Sequence, residues 1–169
     1  MIEEKRVVFD TNVLLDYLLG WRLGNANAMQ LLRACLDSDM IKVLCISLSL
    51  KDVDYISRSS FKKQFANSES VVVQATVSNI APKFGWHCVD DLLKIIAMVV
   101  AVDQATCKNA LKLWEVHPDY EDDLIIAASR QANADMVVTG DQDMIRHFPD
   151  LCVSVEDALK RIDANESES

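Results

Sequence analysis

At 169 residues, with 50% of them apolar, 25% charged and only 4 Gly and 3 Pro, the chain has the composition of one compact soluble domain, not that of a disordered or fibrous protein. The formal net charge of −9 argues against broad, nonspecific binding to nucleic acid, whose phosphates are held mainly by Lys and Arg, and it suits carboxylates gathered around a divalent metal. The longest uninterrupted apolar run, Ile95 to Val102, is too short to cross a bilayer, and the N-terminus Met1-Ile2-Glu3-Glu4-Lys5-Arg6 lacks a signal-peptide hydrophobic region, so a cytoplasmic protein with no membrane attachment is expected.

In chain order, Arg6-Val7-Val8-Phe9 reads as a buried strand that stops at Asp10, where the apolar spacing changes to that of a helix. Asn12 is a candidate N-cap for that helix, which runs from Val13 to Leu19 and ends near Gly20. A second helix is expected over Asn27 to Leu36, and a second strand over Lys42 to Ile46. Ser47 to Ile56 follows as a helix opened by serines, with Asp52 and Asp54 on its first two turns. Residues 57–67 hold Arg58, Lys62 and Lys63 without an acid, interleaved with Phe61 and Phe65. This is the clearest basic segment, either a nucleic-acid contact or a solvated helix face. Ser68 to Ile80 reads as a helix broken by Pro82 and Gly85, Trp86 to Val89 as a short strand, and Asp90 or Asp91 as the cap of a helix through Leu92, Ile95, Ile96 and Val99. Asp103 starts another helix, through Cys107, Ala110, Leu111 and Trp114.

The densest acidic patch, His117-Pro118-Asp119-Tyr120-Glu121-Asp122-Asp123, opens the helix from Leu124 to Ala132. Acids favour the positive end of a helix dipole, but capping one helix does not need four of them in five residues. Asp135-Met136-Val137-Val138-Thr139-Gly140-Asp141-Gln142-Asp143 repeats the design of the first strand, an apolar run ending in polar residues and carboxylates. Leu151 to Val153 reads as an edge strand, and Ser154 to Asp157 as a capping box opening a helix from Ala158 to Ile162. Residues 1–160 are expected to form a single domain and 161–169 a flexible acidic tail. The five cysteines (Cys35, Cys45, Cys88, Cys107, Cys152) contain no CxxC pair and lie beside apolar neighbours, so buried free thiols are expected; the three histidines are dispersed.

Strands alternating with helices imply an α/β protein with a parallel sheet and helices on both faces. In such sheets ligands bind outside the carboxyl ends of the strands. Asp10 and Asp141 then sit at strand ends, while Asp52 and Asp122 sit near the starts of helices leaving the same edge, so four carboxylates can converge. Like charges raise one another's pKa, so the cluster calls for a cation. With oxygen ligands only, Mg²⁺ or Mn²⁺ is the natural occupant, as one ion or two, and its chemistry is that of phosphodiester hydrolysis. No GxxxxGK[ST], GxGxxG or GxSxG sequence occurs.

Four stretches together resemble the PIN domain: the opening Val-Val-Phe-Asp-Thr-Asn-Val-Leu-Leu-Asp, Ser-Leu-Lys-Asp, Asp-Tyr-Glu-Asp-Asp-Leu-Ile-Ile-Ala-Ala and Val-Val-Thr-Gly-Asp-Gln-Asp. They stand in the family's order and span residues 6 to about 155. The resemblance implies a three-layer α/β/α sandwich, PIN-like and Rossmann-like, with a central mostly parallel sheet. It implies a metal-dependent endoribonuclease acting on single-stranded or looped RNA, of the kind found as VapC-like toxins paired with an antitoxin. Asp10, Asp52 and Asp122 match the family's first three acids, and Asp141 its fourth, with Asp143 in competition for that position. Asp52 stands where the family often has Glu. Asp10, Asp122 and Asp141 would hold the first metal, with Asp52 completing the site or binding a second ion. Thr11, Asn12 and Thr139 match polar residues that orient the acids, while Asp119, Asp143 and Asp16 are read as solvent-facing or helix-stabilising and Glu121 and Asp123 as solvated. Arg58, Lys62 and Lys63 would guide the RNA, and homodimerisation is suggested by the family. A non-catalytic PIN-like module binding RNA or protein is the alternative. A phosphoryl-accepting Asp of the receiver or phosphatase kind fits less well, because Asn12 stands where phosphatases use a second Asp.

Overall fold

Alternate residues of the central strands go to opposite cores, and this one fact lays out the molecule. In the computed structural model, which describes residues 4–166, β1 (Lys5–Phe9) sends Val7 and Phe9 to one face of the sheet and Val8 to the other. β2 (Ile41–Ile46) does the same with Val43 and Cys45 against Leu44 and Ile46. The first face is covered by α1 (Thr11–Leu18), α2 (Asn25–Asp37), α3 (Ser47–Gln64), α4 (Val71–Ile95) and α8 (Val155–Glu166), and the second by α6 (Tyr120–Gln131) and α7 (Gln142–His147). The result is the expected α/β/α sandwich.

Five strands form the sheet, in the order β3-β2-β1-β4-β5, and every pairing is parallel. β3 is Met98–Val100, β4 Met136–Val138 and β5 Cys152–Val153. The chain moves outward from β1 through β2 to β3, then returns to the other side of β1 for β4 and β5. The direction therefore reverses between β1 and β4, and the crevice beyond their carboxyl ends is the topological switch point. α5 (Gln104–Leu111) makes the return, opened by a capping box between Asp103 and Thr106.

The middle of the chain departs from expectation. Residues 71–95 form one 25-residue helix that runs through both Pro82 and Gly85, with no strand at Trp86 to Val89. Its buried stripe, Val77, Ala81, Gly85, Cys88 and Leu92, keeps helical spacing past the proline, which lies on the exposed side. A Cβ at Gly85 would stand 2.4 Å from Asp54 Oδ1 and 2.7 Å from Arg58 Cγ, so glycine is what lets α4 close on α3. Instead of continuing a helix through Val99, residues 98–100 form the edge strand β3, with Met98 opposite Leu44. α3 continues to Gln64 and absorbs the basic segment.

The C-terminal boundary also moves. α8 continues past the expected end at Ile162 to Glu166, and Ile162 itself, beyond the expected domain end at residue 160, is buried in the core beside α2. Ser154 Oγ accepts the Asp157 N–H at 3.1 Å, as a capping box requires. Cys35, Cys45, Cys88 and Cys152 are buried and Cys107 half-buried, all as free thiols; burial pushes those of Cys35, Cys45 and Cys152 up to about 12. No helix among the described residues is long and apolar enough to cross a membrane.

Candidate active site

Where β1 ends, the Asp10 N–H still bonds to Val138 O of β4 (3.0 Å), so the carboxylate is set at the switch point by the sheet itself. Asp10, not Asn12, is the N-cap of α1: its Oδ1 accepts the Thr11 N–H at 2.6 Å. Asn12 instead joins the two strand ends. Its Nδ2 donates to Asp10 Oδ2 (2.7 Å), and its Oδ1 accepts the Gly140 N–H (2.8 Å). Thr139, fully buried, donates from Oγ1 to Asp10 Oδ2 (2.7 Å) and accepts the Asp141 N–H (3.0 Å). Asp10 is only 4% exposed, and burial raises its pKa against the lowering effect of these bonds, with Asp141 adding to the rise. Three of its roughly four acceptor directions are taken, which leaves one toward the cleft.

Asp141 caps α7 with a single oxygen, Oδ1, which accepts the N–H groups of Asp143 (2.7 Å) and Met144 (3.1 Å). The structure separates the two competitors for the fourth position. Asp141 lines the cleft, whereas Asp143 is exposed and ion-paired with Arg146 at 2.7 Å.

The four acids at the start of α6 have different surroundings. Asp119 caps the helix, accepting the N–H groups of Glu121 (3.0 Å) and Asp122 (3.3 Å). Asp122 is half-buried in the cleft, and its pKa is pushed up to about 7 by burial first and then by Asp119, Asp10 and Asp141, with His117 opposing. Asp123 is not solvated, whereas Glu121 is exposed, as expected. Glu121 lines the cleft with its carboxyl in hydrogen-bond reach of Asp52; burial and that neighbour raise its pKa. Asp123 is 2% exposed and meets His117 Nδ1 at 3.1 Å on the far side of the helix. Steps of 100° per residue turn consecutive acids to different surroundings, which a one-dimensional patch hides.

Asp52 completes the set from the second turn of α3, largely buried, with Lys51 Nζ at 3.4 Å. Asp10, Asp52, Asp122 and Asp141 therefore share one cleft of about 440 Å³, walled also by Thr11, Asn12, Glu121 and Arg22. The profile of the PIN domain matches residues 6–143, most of the chain and all four acids. The chain belongs to the PIN domain family. Two solved structures share the fold. VapBC2 from Rickettsia felis, bound to a DNA fragment from their promoter, superposes with a TM-score of 0.57 at 14% identity over 88% of this chain and 98% of that one. FitAcB from Neisseria gonorrhoeae gives 0.55 at 13% identity, over 89% and 98%. No curated protein matches the sequence.

The basic segment of this PIN domain is divided. Arg58 is held by Asp54 (Nη2 to Oδ1, 2.7 Å) against Gly85 of α4 and does not line the cleft. Lys62 borders a depression between α3 and α4 with Phe65, Gln74 and Val77. Lys63, eleven residues after Asp52, returns to the same side of α3 about 16 Å along the helix. Asp16 is half-buried and ion-paired with Arg22, a cleft residue that no motif in the sequence marks.

The cleft offers a divalent ion only oxygen donors, the set that suits Mg²⁺ or Mn²⁺. As placed, no three His, Cys, Asp or Glu side chains among the described residues stand close enough to enclose one ion. The chemistry of the donors nevertheless fits a cation: burial and mutual repulsion raise Asp10, Asp122 and Glu121 together, and a positive charge in the cleft relieves all three.

Proposed function

We propose that this PIN domain is a divalent-metal-dependent endoribonuclease that hydrolyses phosphodiester bonds of single-stranded or looped RNA, and that it is the toxin of a toxin–antitoxin pair. The observation that carries the reading is the convergence of Asp10, Asp52, Asp122 and Asp141 on one cleft at the switch point. A domain that only bound anionic RNA would gain nothing from inward carboxylates. The likeness to VapBC2 supports the pairing with an antitoxin; a homodimer is proposed from the family.

Asp10, Asp122 and Asp141 would hold the ion, Mg²⁺ or Mn²⁺. When bound, it stabilises charge on a phosphoryl oxygen and makes water a better nucleophile at neutral pH. The chain's own part is orientation. Thr139 and Asn12 fix the Asp10 carboxylate, α7 fixes Asp141, and Asp119 fixes the first turn of α6 that carries Asp122. Asp52 would complete the site around that ion or bind a second one, with Glu121 beside it on the cleft wall. The products would carry a 5′-phosphate and a 3′-hydroxyl.

The test is cleavage of an end-labelled, mostly single-stranded RNA by the purified protein in Mg²⁺ and in Mn²⁺, with EDTA and Asp10→Asn as controls. Cutting should vanish in EDTA and fall by about a hundredfold or more in Asp10→Asn. Cutting that survives both controls would reject the site. A folded protein that neither cuts nor gains thermal stability from Mn²⁺ would leave the non-catalytic reading.

A further inference from the structure

One wall of the cleft has no part in the chemistry above. It is made by Arg22, from the α1–α2 loop, and by Tyr55 and Ile56 of α3. Among the described residues that line the cleft Arg22 is the one cation, facing five carboxylates: Asp10, Asp52, Glu121, Asp122 and Asp141. Its Nε donates to Asp16, and no other described residue takes its two Nη groups.

The loop that presents Arg22 is pinned. The neighbouring Trp21 donates from Nε1 to Ser60 Oγ of α3 (3.0 Å) and stacks on Phe84 of α4, which in turn stacks on Phe61 with centroids 4.8 Å apart. Asn25 Nδ2 donates to the carbonyls of Asp16 (2.8 Å) and Tyr17 (3.1 Å). At Gly24 a Cβ would collide with the Asp16 carboxylate, so the loop closes there only with glycine. Tyr55 follows Asp52 by one helical turn on the same face of α3. Tyr55 is 72% exposed and makes no hydrogen bond with the described residues. Other aromatic residues as exposed, Trp86 and Trp114, lie outside this cleft.

A fork of free N–H donors beside an uncovered ring, one turn from a catalytic acid, matches a phosphate joined to a flat base. We propose that Arg22 and Tyr55 form a subsite for one unpaired nucleotide of the substrate strand. Arg22 holds the phosphate next to the one being cut, and the base stacks on Tyr55. A paired base keeps its faces inside its own helix and cannot reach the ring, so the subsite selects single strands. Nothing in it reads the sugar. This inference rests on the nuclease reading.

The experiment is fluorescence-anisotropy binding of a fluorescein-labelled 12-nucleotide RNA, its DNA counterpart and the RNA duplex, in EDTA so that nothing is cut. Tyr55→Ala should weaken binding of both single strands roughly tenfold and leave the duplex unchanged, while Tyr55→Phe binds as wild type. Arg22→Gln should reduce the slope of log K against log salt by about 0.7, and Arg22→Lys should restore it. Wild-type binding by Tyr55→Ala, equal weakening on single strand and duplex, or an unchanged slope in Arg22→Gln would overturn the subsite. If Asp10→Asn abolishes cutting while these variants bind and cut as wild type, the subsite fails and the nuclease reading stands. If the wild type binds none of the strands the subsite fails, and if it also cuts no RNA in Mg²⁺ or Mn²⁺ the nuclease reading fails with it.

Discussion

Asp122 shows most plainly what the cleft asks of a single side chain. Its pKa is pushed up to about 7, from an ordinary 3.8, because it is half-buried among Asp119, Asp10 and Asp141. A carboxyl whose folded pKa lies above its unfolded value binds its proton more tightly in the native state. It therefore favours folding at low pH and loses that contribution as pH rises from about 4 through 7. In metal-free buffer the melting temperature of Asp122→Asn should match wild type near pH 4 and exceed it at pH 8. Discounted for solvent contact, the gain is on the order of 2–4 °C, the response of a chain this size to about 1 kcal/mol. Differential scanning calorimetry across that range checks it, and a variant that melts below wild type at pH 8 would contradict it. The same titration with Mn²⁺ should stabilise wild type more than Asp122→Asn. From sequence, the acids at strand ends and helix starts were readable because the chain marks those places with abrupt changes of spacing. The fate of Glu121 was not, because its neighbour Asp52 comes from elsewhere in the chain, nor was that of Asp123, because only the fold turns it toward His117, six residues before it.

At the scale of elements, α4 shows a local signal overruled. Pro82 lacks the N–H that would bond to the Ser78 carbonyl, and proline in a helix interior costs about 3 kcal/mol. Gly85 costs up to about 1 kcal/mol relative to alanine. The helix continues through both because its apolar stripe from Val77 to Leu92 is buried, on either side of the two breakers, with α4 packed on α3. The two breakers should therefore respond oppositely to the same change. Pro82→Ala, on the exposed side, should stabilise by about 1–3 kcal/mol in urea denaturation. Gly85→Ala should destabilise despite its better helix propensity, since the new Cβ meets Arg58 Cγ and the Asp54–Arg58 pair. Stabilisation by both would mean that α4 does not need close approach to α3. The strand expected at Trp86 to Val89 and the helix expected through Val99 fail for a related reason. Short apolar runs carry no decisive period, and whether one becomes helix or strand depends on what edge it finds; here residues 98–100 find β2.

Across the whole molecule, the site exists because the strand order reverses between β1 and β4. That reversal brings Asp10 and Asp141, distant in sequence, to adjoining strand ends clamped by Asn12 and Thr139. The last helix closes the same side of the sheet as α2. Ile162 is 2% exposed there, so a chain ending at Lys160 should lose stability in the range of a buried Ile→Ala change, about 2–5 kcal/mol. The full chain is the reference. Equal urea midpoints for the two would show that α8 contributes nothing past Lys160. The chain by itself determined the α/β class, the three central strands β1, β2 and β4, the helices that follow them, and the candidate acids Asp10, Asp52 and Asp122. Those features are written in local spacing, which follows from the period of each backbone conformation. Only the tertiary structure decided between Asp141 and Asp143 as the cleft acid, took Arg58 out of the cleft, and placed Glu121, Arg22 and Tyr55 on its walls. Those outcomes depend on which elements pack side by side, and neighbours in space leave no periodic trace along the chain.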